Sequence, residues 1–132
     1  MTELRVCYED TDAWGVVYYG KYLRFLEQGR TEFFRARGLS VRELHEKGYI
    51  LPVVRLEIDY LTPAVLDDLL RVETLVRGVT RATITFGQQV LRVGEGKMLV
   101  DAQVTLVFIG EGKKARRLPP ELLAALGTAS GE

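Results

Sequence analysis

Three acidic side chains fall within four positions near the start of the chain, at Glu9, Asp10 and Asp12. They close a short segment, residues 4–9, in which apolar and polar side chains alternate as they do in a strand. A tight turn is expected directly afterwards, and the main helix is predicted to begin at Tyr22. Carboxylates are therefore expected beside the N-terminal end of a helix, where backbone N–H groups are unpaired and carry partial positive charge.

A carboxylate beside such donors can attack a carbonyl carbon, or direct a water molecule at it, while the carbonyl oxygen accepts hydrogen bonds from the N–H groups. Asp10 and Asp12 are equally suited to Asx turns and helix caps, and spacing alone favours that structural role. Glu27, on the predicted helix, is a rival carboxylate, for which an ion pair with Arg24 or Arg30 is the favoured interpretation.

The composition suits a single domain over residues 1–132, since 47% of the residues are hydrophobic. Lysine and arginine together number 18, as do aspartate and glutamate, so neither a nucleic acid nor an anionic membrane surface is indicated as a partner. No apolar signal segment or membrane-spanning run is present. Cys7 is the only cysteine and cannot form an internal disulfide. We therefore expect a cytoplasmic protein without membrane insertion.

Helical and strand periodicities follow one another in a simple order along the chain. Helices are predicted at 22–37, at 40–48 and from Pro120 onward, and strands at 53–61, 69–78, 81–93 and 97–109. Gly29, on the apolar face of the long helix, is expected to let another backbone approach closely, and Gly87 is a candidate bulge. A run of strands after the helices argues for an α+β fold with an antiparallel sheet and the long helix on one face.

The motif-bearing stretch as a whole carries a family resemblance. It comprises Tyr8-Glu9-Asp10-Thr11-Asp12-Ala13, then Gly15-Val16-Val17-Tyr18, then Tyr22-Leu23 with Phe25 and Glu27, and finally Arg30-Thr31-Glu32-Phe33. From residue 8 to residue 33 the chain closely resembles the 4-hydroxybenzoyl-CoA thioesterase family of hotdog-fold acyl-CoA thioesterases, which includes the Tol-Pal-associated branch. The resemblance implies an antiparallel five-stranded sheet curled around one long helix, assembled as a homodimer or homotetramer.

The resemblance also implies an activity, the hydrolysis of an acyl-CoA thioester to the free acid and coenzyme A. Coenzyme A is then part of the substrate, and no metal or organic cofactor is expected. Asp12 aligns with the essential carboxylate of these thioesterases, as nucleophile or general base, while Asp10 is assigned to the turn. The alternative is a hotdog-fold protein that binds acyl ligands, or serves as a scaffold, without turnover.

Oxyanion donors are expected from the backbone N–H groups of Tyr18, Tyr19 and Gly20, so Tyr19 joins Asp12 as a catalytic candidate. Many members of the Tol-Pal-associated branch have histidine where this chain has Tyr19, whereas the branch of the 4-hydroxybenzoyl-CoA enzyme has tyrosine. No imidazole role is therefore inherited. The side chains of Tyr18, Tyr19 and Tyr22 are equally consistent with an aromatic acyl pocket and with ordinary core packing.

The segment between the second and third of the four later strands, residues 77–82, resembles the basic segment that contacts the nucleotide in relatives. Phosphates are bound by arginine, lysine and hydroxyl or backbone donors, which makes Arg77, Thr80 and Arg81 the candidates for binding coenzyme A. An ordinary solvated hairpin turn explains each of these residues equally well.

Overall fold

A computed structural model describes residues 1–130, with side chains as far as Leu126. Five antiparallel strands form one sheet in the order β1-β3-β4-β5-β2. The strands are β1 (Thr2–Arg5), β2 (Val53–Tyr60), β3 (Leu69–Val79), β4 (Thr83–Arg92) and β5 (Lys97–Val107), and the helices are α1 (Lys21–Ala36), α2 (Val41–Glu46) and α3 (Pro120–Ser130). The predicted α+β hotdog architecture is confirmed.

Helix α1 lies on the inner face of the sheet because its apolar stripe has no other surface to bury against. Phe33 and Phe34 both meet the ring of Phe86 edge to face, with centroids 5.3 and 5.8 Å apart. Gly29 faces β3 so closely that a Cβ atom there would lie 2.6 Å from Val72 Cγ1. Helix α1 therefore packs closely against the sheet at Gly29, but through side chains of β3 and β4 rather than through the backbone approach that the sequence predicts.

The first strand is shorter than its alternating pattern predicts, ending at Arg5 rather than at Glu9. The Asp10 carboxylate accepts a hydrogen bond from the Cys7 N–H at 2.8 Å, and a single 3₁₀ turn spans Tyr8–Asp10. Val6 still exchanges backbone hydrogen bonds with Asp67 and Asp68, and the turn begins directly after it. The acidic stretch therefore belongs to a loop rather than to the strand.

The predicted bulge at Gly87 is wrong, because this residue is regularly paired with both neighbouring strands. The register shift between β3 and β4 lies instead between Val76 and Gly78. Gly87 is required for a different reason: the side chain of Arg77 lies across it, and an added Cβ would stand 2.6 Å from Arg77 Nε. The absence of a side chain at Gly87 on β4 leaves room for the long side chain of Arg77 on β3.

Strand β2 forms one edge of the sheet and is the most open of the long strands. Its apolar residues Val53, Val54, Leu56 and Tyr60 are between 38% and 59% exposed. An apolar edge strand with free backbone groups is normally paired or covered. None of the helices in the described part of the chain is long and apolar enough to cross a membrane.

Candidate active site

Asp12 begins a tight turn that engages only one of its two carboxylate oxygens. Its backbone N–H donates to the Val16 carbonyl at 2.9 Å, and its carbonyl accepts from Gly15 N–H at 3.0 Å. Gly15 has φ of 79°, a left-handed conformation that favours glycine. The Trp14 N–H donates to Asp12 Oδ1 at 2.8 Å, an Asx turn. Among the described residues, nothing donates to Oδ2, so one oxygen fixes the side chain and the other is available.

Asp10 has a purely structural environment, as the sequence predicts. Its side chain is buried, and besides the bond from Cys7 its carbonyl accepts the Tyr18 N–H at 2.9 Å. The Lys21 ammonium lies 4.0 Å from Oδ1. With both its carboxylate and its carbonyl occupied, Asp10 ties the acidic loop to the segment that leads into α1.

The start of α1 offers two free backbone donors rather than three. The Tyr18 N–H is taken by Asp10, so its expected role as an oxyanion donor is wrong. The N–H groups of Tyr19 and Gly20 have no acceptor within the part of the chain that the structure describes. Gly20 is the N-cap residue of α1, so both groups sit at the positive end of the helix dipole. An anionic oxygen would be stabilised there.

A cleft of about 180 Å³ opens beside these donors, with Tyr19, Tyr22 and Tyr60 among its lining residues. The Tyr60 hydroxyl donates to the Tyr19 carbonyl at 3.3 Å, and the Tyr22 hydroxyl accepts the Ala64 N–H at 3.1 Å. Tyr22 is 3% exposed and Tyr19 is 62% exposed. Tyr22 therefore serves both as core and as cleft wall, whereas Tyr19 is a wall residue only.

Three tyrosines in or beside the cleft have pKa values raised above the ordinary value. Interaction with the neighbouring Tyr19 hydroxyl raises the pKa of Tyr18. Burial raises the pKa of Tyr60 and of Tyr22, and the hydrogen bond from the Ala64 N–H only partly offsets the effect at Tyr22. Because an ordinary tyrosine pKa is already near 10, these three phenols are neutral at physiological pH.

The three candidate nucleotide contacts do not come together. Thr80 closes the β3–β4 hairpin, where its N–H donates to the Thr83 carbonyl at 2.9 Å and its hydroxyl accepts the Thr83 N–H at 3.1 Å. Arg81 is exposed at the tip of this hairpin. Arg77 instead folds across Gly87, on the outer face of the sheet. There it lines a separate cavity of about 380 Å³ together with Glu57, Asp59 and Asp101.

Sequence reasoning missed a basic segment that lies beside Arg81. The Leu118 N–H donates to the Arg81 carbonyl at 3.1 Å, which brings residues 113–117 next to the hairpin tip. This segment reads Lys-Lys-Ala-Arg-Arg, and the Arg116 guanidinium lies over the Tyr49 ring, 3.9 Å from its centroid. The run of cations was visible in the sequence, but its proximity to Arg81 depends on the fold.

The ion pair predicted for Glu27 is also wrong. Glu27 forms no salt bridge with Arg24 or Arg30 in the described part of the chain. Arg30 turns inward instead, where its Nη1 donates to Gln88 Oε1 at 3.1 Å. Arg30 therefore bonds to the buried Gln88 amide on β4 rather than to the exposed carboxylate of Glu27, which lies one helical turn away on α1.

A long helix wrapped by a five-stranded antiparallel sheet, with a carboxylate and free N–H groups near its start, defines a hotdog-type protein. The sequence family described as Thioesterase-like superfamily matches residues 6–126. The acyl-CoA thioesterase YbgC of Haemophilus influenzae is 45% identical over 124 residues, covering 92% of this chain and 90% of that protein. The chain belongs to the thioesterase-like superfamily, as the motif predicts.

Solved structures agree with this assignment. A probable thioesterase from Bartonella henselae is 37% identical and superposes with a TM-score of 0.84, covering 89% of this chain and 97% of that one. The DHNA-CoA thioesterase of Staphylococcus aureus superposes with a TM-score of 0.93 at 24% identity, covering 98% of this chain and 89% of that one. At that identity the second likeness supports the fold alone.

Proposed function

We propose that the protein hydrolyses acyl-CoA thioesters, with Asp12 as the catalytic carboxylate and the Tyr19 and Gly20 N–H groups as oxyanion donors. The observation that carries the proposal is the Asx turn, which anchors one oxygen of Asp12 and leaves the other free. The substrate class is supported by the relative from Haemophilus influenzae, which is named an acyl-CoA thioesterase.

Two routes are open to Asp12, and both give the same products. In the first, Oδ2 bonds to the thioester carbon, the C–S bond breaks, and water hydrolyses the resulting mixed anhydride to restore the carboxylate. In the second, the carboxylate takes a proton from water as the water oxygen attacks, and the departing thiolate recovers that proton. A rapid-quench mass spectrum distinguishes them, since only the first route adds the acyl mass to the peptide that contains Asp12.

Donors matter in either route because the carbonyl oxygen becomes an oxyanion in the tetrahedral intermediate. Two free N–H groups at a helix start are fixed in place before the reaction begins, so no reorganisation is needed as the charge develops. Removing one donor of this kind typically lowers turnover by about 10²–10³-fold. These donors and the carboxylate suffice for the chemistry that we propose, without a metal or an organic cofactor.

The nucleotide of coenzyme A is assigned to the hairpin tip and the basic segment beside it. Arg81 and residues 113–117 present exposed cations on adjacent segments, which suits the phosphates. Thr80 remains a candidate through its position in the same hairpin. Arg77 is less suited, because the cavity that it lines also contains the acidic residues Glu57, Asp59 and Asp101.

Assembly through β2 accounts for its exposed apolar residues. A second copy of the chain, pairing antiparallel with this edge, would continue the sheet across a two-fold axis and cover Leu56 and Tyr60. The active site would then lie at the interface of the dimer, and two dimers can form a tetramer. Light scattering should show a dimer or tetramer, and a stable, fully active monomer would contradict this assembly.

The reaction is assigned to the cytoplasm.

A colorimetric assay of free thiol release tests the activity itself. The protein should release thiol from at least one class of acyl-CoA in a panel of short, medium, long and aromatic acyl groups. Equilibrium binding of the same panel is measured in parallel. Binding without thiol release would contradict the proposal and support the ligand-binding alternative.

A further inference from the structure

Arg30 is a largely buried cation that forms no salt bridge with a carboxylate among the described residues, although the charge of Glu27 acts on it. It is 8% exposed, and its only hydrogen bond among the described residues goes from Nη1 to the neutral Gln88 amide. Gln88 cannot turn away from it, since its own Nε2 donates to the Leu26 carbonyl and to Thr74 Oγ1, both at 2.9 Å. Buried charges are normally paired. The remaining guanidinium donors are not sealed from solvent, so an acceptor from outside this part of the chain can reach them.

Three separate cavities follow one another along α1, and we call this row of cavities the groove. The aromatic cleft at the start of the helix is followed by an apolar cavity of about 120 Å³, lined by Leu23, Leu26, Leu56 and Arg30 with two further residues. A third cavity, of about 60 Å³, lies beyond it and again includes Arg30, together with Glu27. All three lie between α1 and the β2 side of the sheet, and Arg30 lines both the second and the third.

The groove begins at the proposed oxyanion donors. Ten residues separate Gly20 from Arg30 on α1, which corresponds to roughly 15 Å along the helix axis at 1.5 Å per residue. Side chains on a helix lean towards its N-terminus, so the guanidinium comes somewhat closer than that. An acyl group of medium length, with its thioester carbonyl at Tyr19 and Gly20, would bring its distal end to Arg30.

We propose that Arg30 selects acyl groups whose distal end carries a carboxylate, so that the preferred substrates are ω-carboxyacyl thioesters of coenzyme A. The inference rests on the proposed function. A methyl-terminated chain would fill the apolar stretch but leave the guanidinium unpaired. A carboxylate would accept two of its free donors in the fork geometry that arginine favours.

Binding of non-hydrolysable thioether analogues tests this directly. S-alkyl-CoA and S-(ω-carboxyalkyl)-CoA are compared by calorimetry at hexyl, octyl and decyl length, at one pH and ionic strength. For at least one length, the wild-type protein should bind the carboxylate-terminated analogue roughly ten- to a hundredfold more tightly, as expected for a charged hydrogen-bonded pair. Arg30→Met should reverse the preference, whereas Arg24→Met, which removes an exposed arginine of the same helix, should leave it unchanged.

Arg30→Lys is a second variant, for the case in which Arg30→Met fails to fold. It retains the positive charge and should keep part of the preference for the carboxylate. If the wild-type protein bound the two analogues with equal affinity at every length, the inference would be overturned. If Glu27→Gln also weakened the dimer, the alternative would be that Arg30 of one copy pairs with Glu27 of the other. Thiol release from octanoyl-CoA and from its ω-carboxy counterpart is measured alongside. Hydrolysis of either thioester without the binding preference removes this inference alone, and the preference without hydrolysis of either removes the proposed function alone.

Discussion

Replacing Gln88 with leucine should destabilise the protein strongly, although the new side chain is apolar and of similar size. Gln88 is fully buried and makes three hydrogen bonds, one of them from the Arg30 guanidinium. A bond to a charged group contributes about 1.5–3 kcal/mol and a neutral one about 1 kcal/mol. Burial of the leucine side chain returns about 1–2 kcal/mol. The expected net loss in free energy of unfolding is about 3 kcal/mol.

Urea denaturation at a fixed protein concentration measures this loss, since the stability of an oligomer depends on concentration. Gln89→Leu is the matched control. Gln89 is the next residue of β4, half-buried on the opposite face, and its side chain makes no hydrogen bond among the described residues. The control should stay within about 0.5 kcal/mol of the wild type. If Gln88→Leu did the same, the buried polar cluster would not stabilise the fold as argued.

Three further outcomes are expected. Gly29→Ala should lower the free energy of unfolding in urea by about 1–2 kcal/mol, because overpacking against β3 outweighs the better helix propensity of alanine; equal or greater stability would contradict the close approach. Tyr22→Phe should cost about 1–2 kcal/mol in the same measurement, since the Ala64 N–H loses its acceptor; an unchanged midpoint would refute this. Arg81→Ala should raise KM for acyl-CoA more than it lowers kcat, and it should leave KM for acyl-pantetheine, which lacks the nucleotide, unchanged. The control Arg42→Ala should leave both constants unchanged with both substrates. Unchanged kinetics of Arg81→Ala with acyl-CoA would leave Arg81 as a surface residue.

Local signals in the sequence predicted most of the fold. The apolar periodicity placed α1 within one residue at each end, because amphipathic stripes are a property of the segment itself. The capping pattern at Ser40 placed the start of α2, where the Ser40 hydroxyl accepts the Glu43 N–H at 3.2 Å. The family motif placed Asp12 in a turn next to α1, and the comparisons confirm the family.

Features that depend on residues distant in sequence were not predictable in the same way. Arg30 was expected to pair with its neighbour on the helix, yet its partner Gln88 lies 58 positions away. The apparent strand through Glu9 gives way to a 3₁₀ turn with a hydrogen bond between the Cys7 N–H and the Asp10 carboxylate, which no alternation pattern reveals. Which N–H groups at the start of α1 remain free likewise depends on Asp10, whose carbonyl removes the Tyr18 donor. Such competition among partners is decided only in the folded chain.

The turnover of Asp12→Asn tests the central claim most directly. Asparagine keeps the shape of the side chain, and its oxygen can still accept the Trp14 N–H, so the melting curve should be unchanged. An amide is neither a competent nucleophile nor a base, so kcat for acyl-CoA hydrolysis should fall by about 10²–10⁴-fold. Glu9→Gln removes a charge from the same acidic loop and should leave kcat within about twofold of the wild-type value. Near-normal hydrolysis by a well-folded Asp12→Asn would contradict the assignment of Asp12 as the catalytic carboxylate.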